Sequence, residues 1–76
     1  MIKHIIYDDG HEEWWLNYGL HKVGGPAIIR QDGSEAWYEN NQLHKEDGPA
    51  IINPNGYESW YRNGEYYIIK QPNFLV

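Results

Sequence analysis

Apolar residues fall in short clusters along the whole chain, and turn-forming pairs separate the clusters at regular intervals. Asp9-Gly10, Asp32-Gly33 and Asn55-Gly56 are Asx-Gly pairs, the favoured chemistry of two-residue type I′ hairpin loops, which need positive φ twice. A second set follows as Asn17-Tyr18, Asn40-Asn41 and Asn63-Gly64. Asn-Asn tolerates the left-handed region but Tyr does not, so the first copy is expected to turn through Tyr18-Gly19 in a longer loop. The stretches between turns have strand length, and none carries the caps or the 3.6-residue period of a helix. Gly25-Pro26 and Gly48-Pro49 interrupt the longer stretches. Proline gives a ladder no N–H, so a bulge or bend is expected at each pair.

The turns recur because the sequence does. A shift of 23 residues aligns Gly10–Asp32 (GHEEWWLNYGLHKVGGPAIIRQD) with Gly33–Asn55 (GSEAWYENNQLHKEDGPAIINPN) without a gap, with 12 of 23 positions identical. A third copy opens at Gly56 as GYESWYRNGEYY and degrades after Tyr67, although Pro72 stays in register with Pro26 and Pro49. Upstream, Ile5, Ile6 and Asp9 match Ile28, Ile29 and Asp32. The organisation expected is one domain over residues 1–76, with copies at 10–32, 33–55 and 56–76 and a partial leading copy at 1–9. Its fold class is all-β: an antiparallel meander of about three 23-residue hairpin repeats forming a single curled sheet.

Register assigns the faces. A two-residue loop at Asn40-Asn41 pairs 38 with 43 and 37 with 44. A two-residue loop at Asp32-Gly33 would pair 28 with 37 and 29 with 36. One face then carries Ile28, Trp37 and His44 in a row, repeated as Ile5, Trp14, His21 and as Ile51, Trp60, Tyr67. The opposite face carries Trp15 with Leu20, Tyr38 with Leu43 and Tyr61 with Tyr66. Two aromatic faces are unusual for a sheet that should alternate apolar and polar sides, so one is expected to be core and the other to be covered from outside the chain.

Composition sharpens this. The chain has 76 residues with 4 Trp, 7 Tyr, 1 Phe and 8 Gly, a strand-and-turn usage rich in amphipathic aromatics. Without cysteine it has neither disulfides nor thiolate metal sites. Its 6 Lys+Arg against 11 Asp+Glu, net −5, lack the basic face that nucleic-acid binding needs. No apolar run approaches the ~18 residues of a membrane span, and the opening residues hold no signal-peptide apolar core. A cytoplasmic protein is expected.

The string W-Y-x-N-x-x-L-H-K-x-x-G-P-A at Trp37–Ala50, with small changes at Trp14–Ala27, resembles the variant of the MORN repeat found in bacterial and phage proteins. Those proteins are often described as antitoxins. Trp37, Tyr38, Asn40, His44, Gly48, Pro49 and Ala50 match that pattern, while Lys22 and Lys45 stand where Arg is common and Asn41 where Gly is usual. The resemblance covers essentially the full chain. It implies a scaffold or binding surface in a bacterial cytoplasm, or in the host cytoplasm for a phage protein; ligands differ among such arrays.

Candidate chemistry is sparse. His21 and His44 sit two strands apart, about 10 Å, whereas shared metal ligation needs both nitrogens within about 2.1 Å of the ion. His4 and His11 have no repeat counterparts. A nucleophile has only Ser34 and Ser59 to draw on, and Glu12, Glu35 and Glu58 repeat at about 10 Å, wide even for an inverting glycosidase pair. Packing explains these residues: cross-strand Trp–His pairs, and a solvated carboxylate ladder beside strand lysines. No enzyme activity, metal or cofactor is expected.

Association is expected. No polar cap precedes the first strand, the chain closes on Phe74-Leu75-Val76, and open sheet edges template strand addition. The function this supports is a non-enzymatic binding module, a small phage or bacterial accessory or inhibitor protein that engages a host, defence or toxin protein, or a second copy, through an aromatic face or an edge strand. Candidate partner-binding residues are Trp14, Trp15, His21, Trp37, Tyr38, His44, Trp60, Tyr61 and Tyr67. One alternative is capture of a nucleotide or sugar between protomers by the Trp–His rows. Another is an acidic mimic of nucleic acid, although these charges are far sparser than one per ~1.7 Å of DNA axis.

Overall fold

The structure, a computed structural model, describes residues 2–70. Those residues form ten strands and no helix: β1 (Ile2–Ile6), β2 (Glu12–Leu16), β3 (Gly19–Leu20), β4 (Ile28–Ile29), β5 (Glu35–Ala36), β6 (Tyr38–Glu39), β7 (Gln42–Leu43), β8 (Ile51–Ile52), β9 (Glu58–Arg62) and β10 (Glu65–Lys70). Among them there is accordingly no helix long and apolar enough to cross a membrane. One open antiparallel sheet runs β1-β2-β4-β5-β8-β9-β10, with β3 attached to β2 and with β6–β7 forming a separate two-stranded tip. Each copy thus has a long strand whose first half joins the Ile-Ile strands of the sheet and whose second half folds back as a tip. The long strand is unbroken in β2 and β9 and interrupted at Trp37 between β5 and β6.

The molecule measures 48 × 29 × 16 Å with a radius of gyration of 13.0 Å. A compact chain of this length would have about 11 Å. The short dimension leaves room for one sheet only, since packed sheets stand about 10 Å apart and still carry side chains on their outer faces. The core is correspondingly small: Ala27 and Ala50 at 0% exposure, then Ala36, Ile28 and Ser34. Ile28 pairs with Ala36 and Ala36 with Ile51, so one face holds the most buried row, Ile5–Glu13–Ile28–Ala36–Ile51–Ser59. The other face carries Ile6–Glu12–Ile29–Glu35–Ile52–Glu58, apolar and carboxylate alternating across the sheet.

Two local expectations are corrected. The Asx-Gly pairs do not form two-residue loops. Arg30 N–H bonds Ser34 O at 2.9 Å and Gly33 N–H bonds Arg30 O at 2.9 Å, which makes a three-residue loop, and the same bonds recur at Tyr7–His11 and Asn53–Tyr57. Only the glycine takes positive φ, at 91°, 91° and 96° for Gly10, Gly33 and Gly56. The Asx side chain instead accepts the N–H two residues on, from His11, Ser34 and Tyr57 at 2.9, 2.9 and 3.1 Å. That local bond holds the Asx out of the left-handed region and selects the longer loop. The extra loop residue shifts the ladder by one, so Ile28 meets Ala36 and Ile29 meets Glu35, not Trp37 and Ala36. Trp37 lies just past the ladder and gives its N–H to Ala50 O at 2.7 Å.

The first tip is the second correction. Leu16 pairs with Gly19 and Trp15 with Leu20, which closes a two-residue loop at Asn17-Tyr18. Asn17 alone supplies the positive φ, 56°, so Tyr18 is never asked for it. The remaining tips follow expectation. Asn40 and Asn41 have φ of 53° and 63°, Asn63 and Gly64 52° and 84°, and Tyr38 pairs with Leu43. The chain bends before each Gly-Pro pair as well. The apolar tail and Pro72 lie outside the described residues.

Candidate functional site

The repeat signature builds a joint between hairpins. Trp14 and Trp37 are half-buried, and each ring carries a lysine: Lys22 Nζ stands 3.6 Å from the Trp14 centroid and Lys45 Nζ 4.1 Å from that of Trp37. The lysine stems pass over Gly25 and Gly48, where a Cβ would meet the Lys22 and Lys45 side chains at 3.2 Å. Any larger residue there would push the lysine stem a few tenths of an ångström from its seat. Proline follows where no donor is needed, and the alanine after it is fully buried. Ala27 gives its N–H to Ala36 O and accepts from Trp14, while Ala50 does the same with Ser59 and Trp37. The lysines sit on indole faces instead of beside the carboxylate ladder, correcting that expectation; a partly desolvated ammonium–indole pair contributes about 1 kcal/mol.

The histidines link one hairpin to the next. His21 Nδ1 accepts the Asn40 N–H at 2.9 Å, and His44 Nδ1 accepts the Asn63 N–H at 3.0 Å. A ring nitrogen that accepts is the unprotonated one, so these bonds select the Nε2–H tautomer of each ring. His44 Nε2 stands 2.7 Å from Glu46 Oε2. Each link is completed by a pair of main-chain bonds, Lys22 N–H to Tyr38 O with Asn41 N–H to Leu20 O, then Lys45 N–H to Tyr61 O with Gly64 N–H to Leu43 O. In the first joint Asn41 also accepts the Leu20 N–H at 3.1 Å, and a Cβ on Gly19 would come within 2.8 Å of the Asn41 Cβ. The sequence did show the cross-strand Trp–His pairing, since His21 and His44 give their N–H to Trp14 O and Trp37 O. It did not show the link across hairpins, whose only signal was an Asn 19 residues after each histidine.

Of the nine candidate residues, Trp14, Trp15, His21, Trp37, Tyr38, His44, Trp60 and Tyr61 are half-buried and Tyr67 is exposed. Trp14 is engaged on two sides, for the His4 ring stacks on it at 4.1 Å and 8° as well. Tyr61 meets Tyr66 edge-on at 6.1 Å, and the Arg62 guanidinium lies 5.4 Å from the Tyr67 ring. Exposed large apolar side chains concentrate elsewhere. Six of nine lie at the outermost strands: Ile2, Ile6 and Tyr7 at one end, Tyr66, Tyr67 and Ile68 at the other.

Sequence reasoning missed one cluster. Where later copies place Ala36 and Ser59 in the buried row, the first places Glu13. A carboxylate there needs donors. Trp15 Nε1–H and Tyr7 O–H supply them at 3.0 and 3.1 Å, and His11 Nε2 stands 2.9 Å from the second oxygen. Burial pushes the Glu13 carboxyl up, but the bonds from Trp15 and Tyr7 and the nearby His11 outweigh it and hold it below the ordinary carboxylate value. Tyr7, His11, Glu13 and Trp15 are all departures from the repeat, and their shared departure was the available signal. Asp32 is likewise lowered, first by the backbone bond from Ser34.

Among the described residues no three His, Asp or Glu side chains group closely enough to hold a metal ion. An open groove of about 370 Å³ separates the first two tips, lined by Leu16, Asn17, Tyr18, Gly19, His21, Asn40 and Asn41. Compared with protein-family models, with curated proteins and with solved structures, the chain finds no match.

Proposed function

We propose that this protein is a non-enzymatic binding module that engages a partner protein through the β10 edge and the aromatic residues beside it. The observation that carries the reading is the exposure of Tyr66, Tyr67 and Ile68 on an outermost strand, against Tyr61 and Arg62 of β9. An edge strand adds a partner segment by main-chain bonds, and the tyrosines give it rigid, amphipathic contact area. Trp14 and Trp37 serve the joints first, since lysines occupy their faces, and contribute to binding by holding the tips in place. The biological setting, a bacterial or phage accessory protein that inhibits a host, defence or toxin protein in the cytoplasm, rests on the resemblance of the repeat.

The test is affinity capture from host lysate with the full chain as bait, alongside Tyr67→Ala and Tyr61→Ala. One stoichiometric protein retained by the parent chain and lost from both variants, at a cost of about 2 kcal/mol or more, supports the reading. Equal retention by all three baits overturns it.

One observation favours small-ligand capture as a second reading. Val23 stands where Glu46 sets a carboxylate 2.7 Å from His44 Nε2, so among the described residues His21 has no such carboxylate beside it and lines the groove next to Tyr18, itself 96% exposed. A small molecule retained in native mass spectrometry and lost in His21→Phe would favour it over the protein partner.

A further inference from the structure

The two ends of the sheet differ in what they can pair with, and strand direction decides the matter. Every step along β1-β2-β4-β5-β8-β9-β10 is antiparallel, so this seven-strand path ends with β1 and β10 pointing the same way. Laying β10 of one copy against β1 of the next, faces aligned, would make a parallel junction. A two-fold axis normal to the sheet instead joins like edges in antiparallel fashion and keeps each face continuous. β10 is poorly suited to pairing with itself, because the two-fold would set its slip between Tyr66 and Ile68 on both strands of the junction, an irregularity that a partner segment of different sequence need not share. β1 pairs with β2 through all five residues without a slip.

The open side of β1 is set by its hydrogen bonds. Tyr7 N–H turns inward to His11 O, so by alternation Ile5 and Lys3 face β2 and Ile2, His4 and Ile6 present their N–H and C=O outward. The partner of His4 agrees, for Trp14 sends its N–H away from β1 to Ala27 O. We propose that β1 is a homodimer interface, in which Ile2–Ile6 of two copies pair antiparallel about a two-fold axis through His4.

This register is self-complementary. Ile2 faces Ile6 of the second copy, Lys3 faces its Ile5, and His4 faces its His4, so all five residues overlap and the lysines are never opposed. The three outward residues form three closely bonded pairs, about six main-chain bonds in all. Ile2 and Ile6, 54% and 67% exposed in the single chain, come together on the same face. Lys3 is the one charge on the strand, and it limits further growth of the edge. The dimer uses the edge opposite β10, so it is independent of the partner reading.

Sedimentation from about 10 μM to about 1 mM should show a concentration-dependent monomer–dimer equilibrium. Ile6→Pro deletes an outward N–H that no intrachain bond uses, and should shift the dimer dissociation constant upward at least tenfold with an unchanged circular dichroism spectrum. Because the chain has no cysteine, single substitutions report the register directly. His4→Cys places two thiols on the axis, at a Cα separation of about 5.5 Å that a disulfide can span, whereas Lys3→Cys and Ile5→Cys do not face themselves. Oxidative cross-linking should therefore peak at position 4. A strict monomer at every concentration, a dimer indifferent to Ile6→Pro, or cross-linking that peaks away from position 4 would each overturn the proposal. Loss of lysate capture in the β10 variants with the dimer intact bears on the partner reading alone.

Discussion

The joint between the first and second hairpins and the joint between the second and third use the same bonds, while the third hairpin carries neither the histidine nor the lysine that make them. At positions 21 and 44 histidine accepts the N–H of the next turn, and at 22 and 45 lysine covers tryptophan. The corresponding positions of the third copy are Tyr67 and Ile68. There the return strand bulges at Tyr67 and then runs on along β9, pairing Ile68 with Trp60. His-Lys-x-x-Gly-Pro-Ala is therefore the device that turns the chain away from its own hairpin and onto the next. Where it is lost, the array becomes an edge. Tyr66 and Tyr67, both exposed, lie where the joint chemistry stops.

The strongest way to break this contrast is to fill a site that the joint leaves no room in. Ala50 is fully buried, so Ala50→Leu should cost about 2–3 kcal/mol, read as a lower urea midpoint at unchanged slope. In a protein whose total stability is on the order of 5 kcal/mol, that is a large fraction. A midpoint within error of the parent would mean that the alanine row is not the core.

Next in size is the histidine link. His44→Ala leaves the Asn63 N–H without its acceptor and should cost about 1–2 kcal/mol, whereas Tyr67→Ala at the matching position should cost under about 0.5 kcal/mol. Amide exchange should quicken at Asn63 in the first variant and not in the second. Equal losses in both would erase the distinction between joint and edge.

The smallest effect sharpens the contrast at the other end, where the first copy departs from the repeat through Glu13. Its carboxyl is held below the ordinary value in the folded chain, so it adds stability that is complete above about pH 5 and is lost as pH falls through its folded value. Glu13→Gln should flatten that acid limb and leave the joints untouched. An acid limb unchanged by the substitution would assign the loss to other carboxylates.

Much of this was legible because repeats expose their own logic. Asn40-Asn41 and Asn63-Gly64 named their turns, since few residues accept positive φ, and the pairing of Trp37 with His44 followed from them. The Asx-Gly loops were misjudged by one residue. The same dipeptide serves two loop lengths, and the choice depended on an Asx side chain bonding two residues ahead. That single residue moved Ile28 from Trp37 to Ala36. The candidate aromatics were legible as a set, but their availability was not, because lysines 8 residues downstream in sequence fold back over two of the indoles.

The sequence by itself determined that the chain is all-β, that it repeats, and where its second and third tips turn, because these are local matters of φ, hydrogen-bond supply and period. Only the tertiary structure decided which groups meet across hairpins. The His21–Asn40 and His44–Asn63 links, the donors gathered on Glu13, the fit of Gly19 beneath Asn41 and the direction in which β1 and β10 finally point all join residues whose contact depends on loop length and strand count. A one-residue change in a loop or one strand more in the path would alter each of them while leaving the local signals as they are.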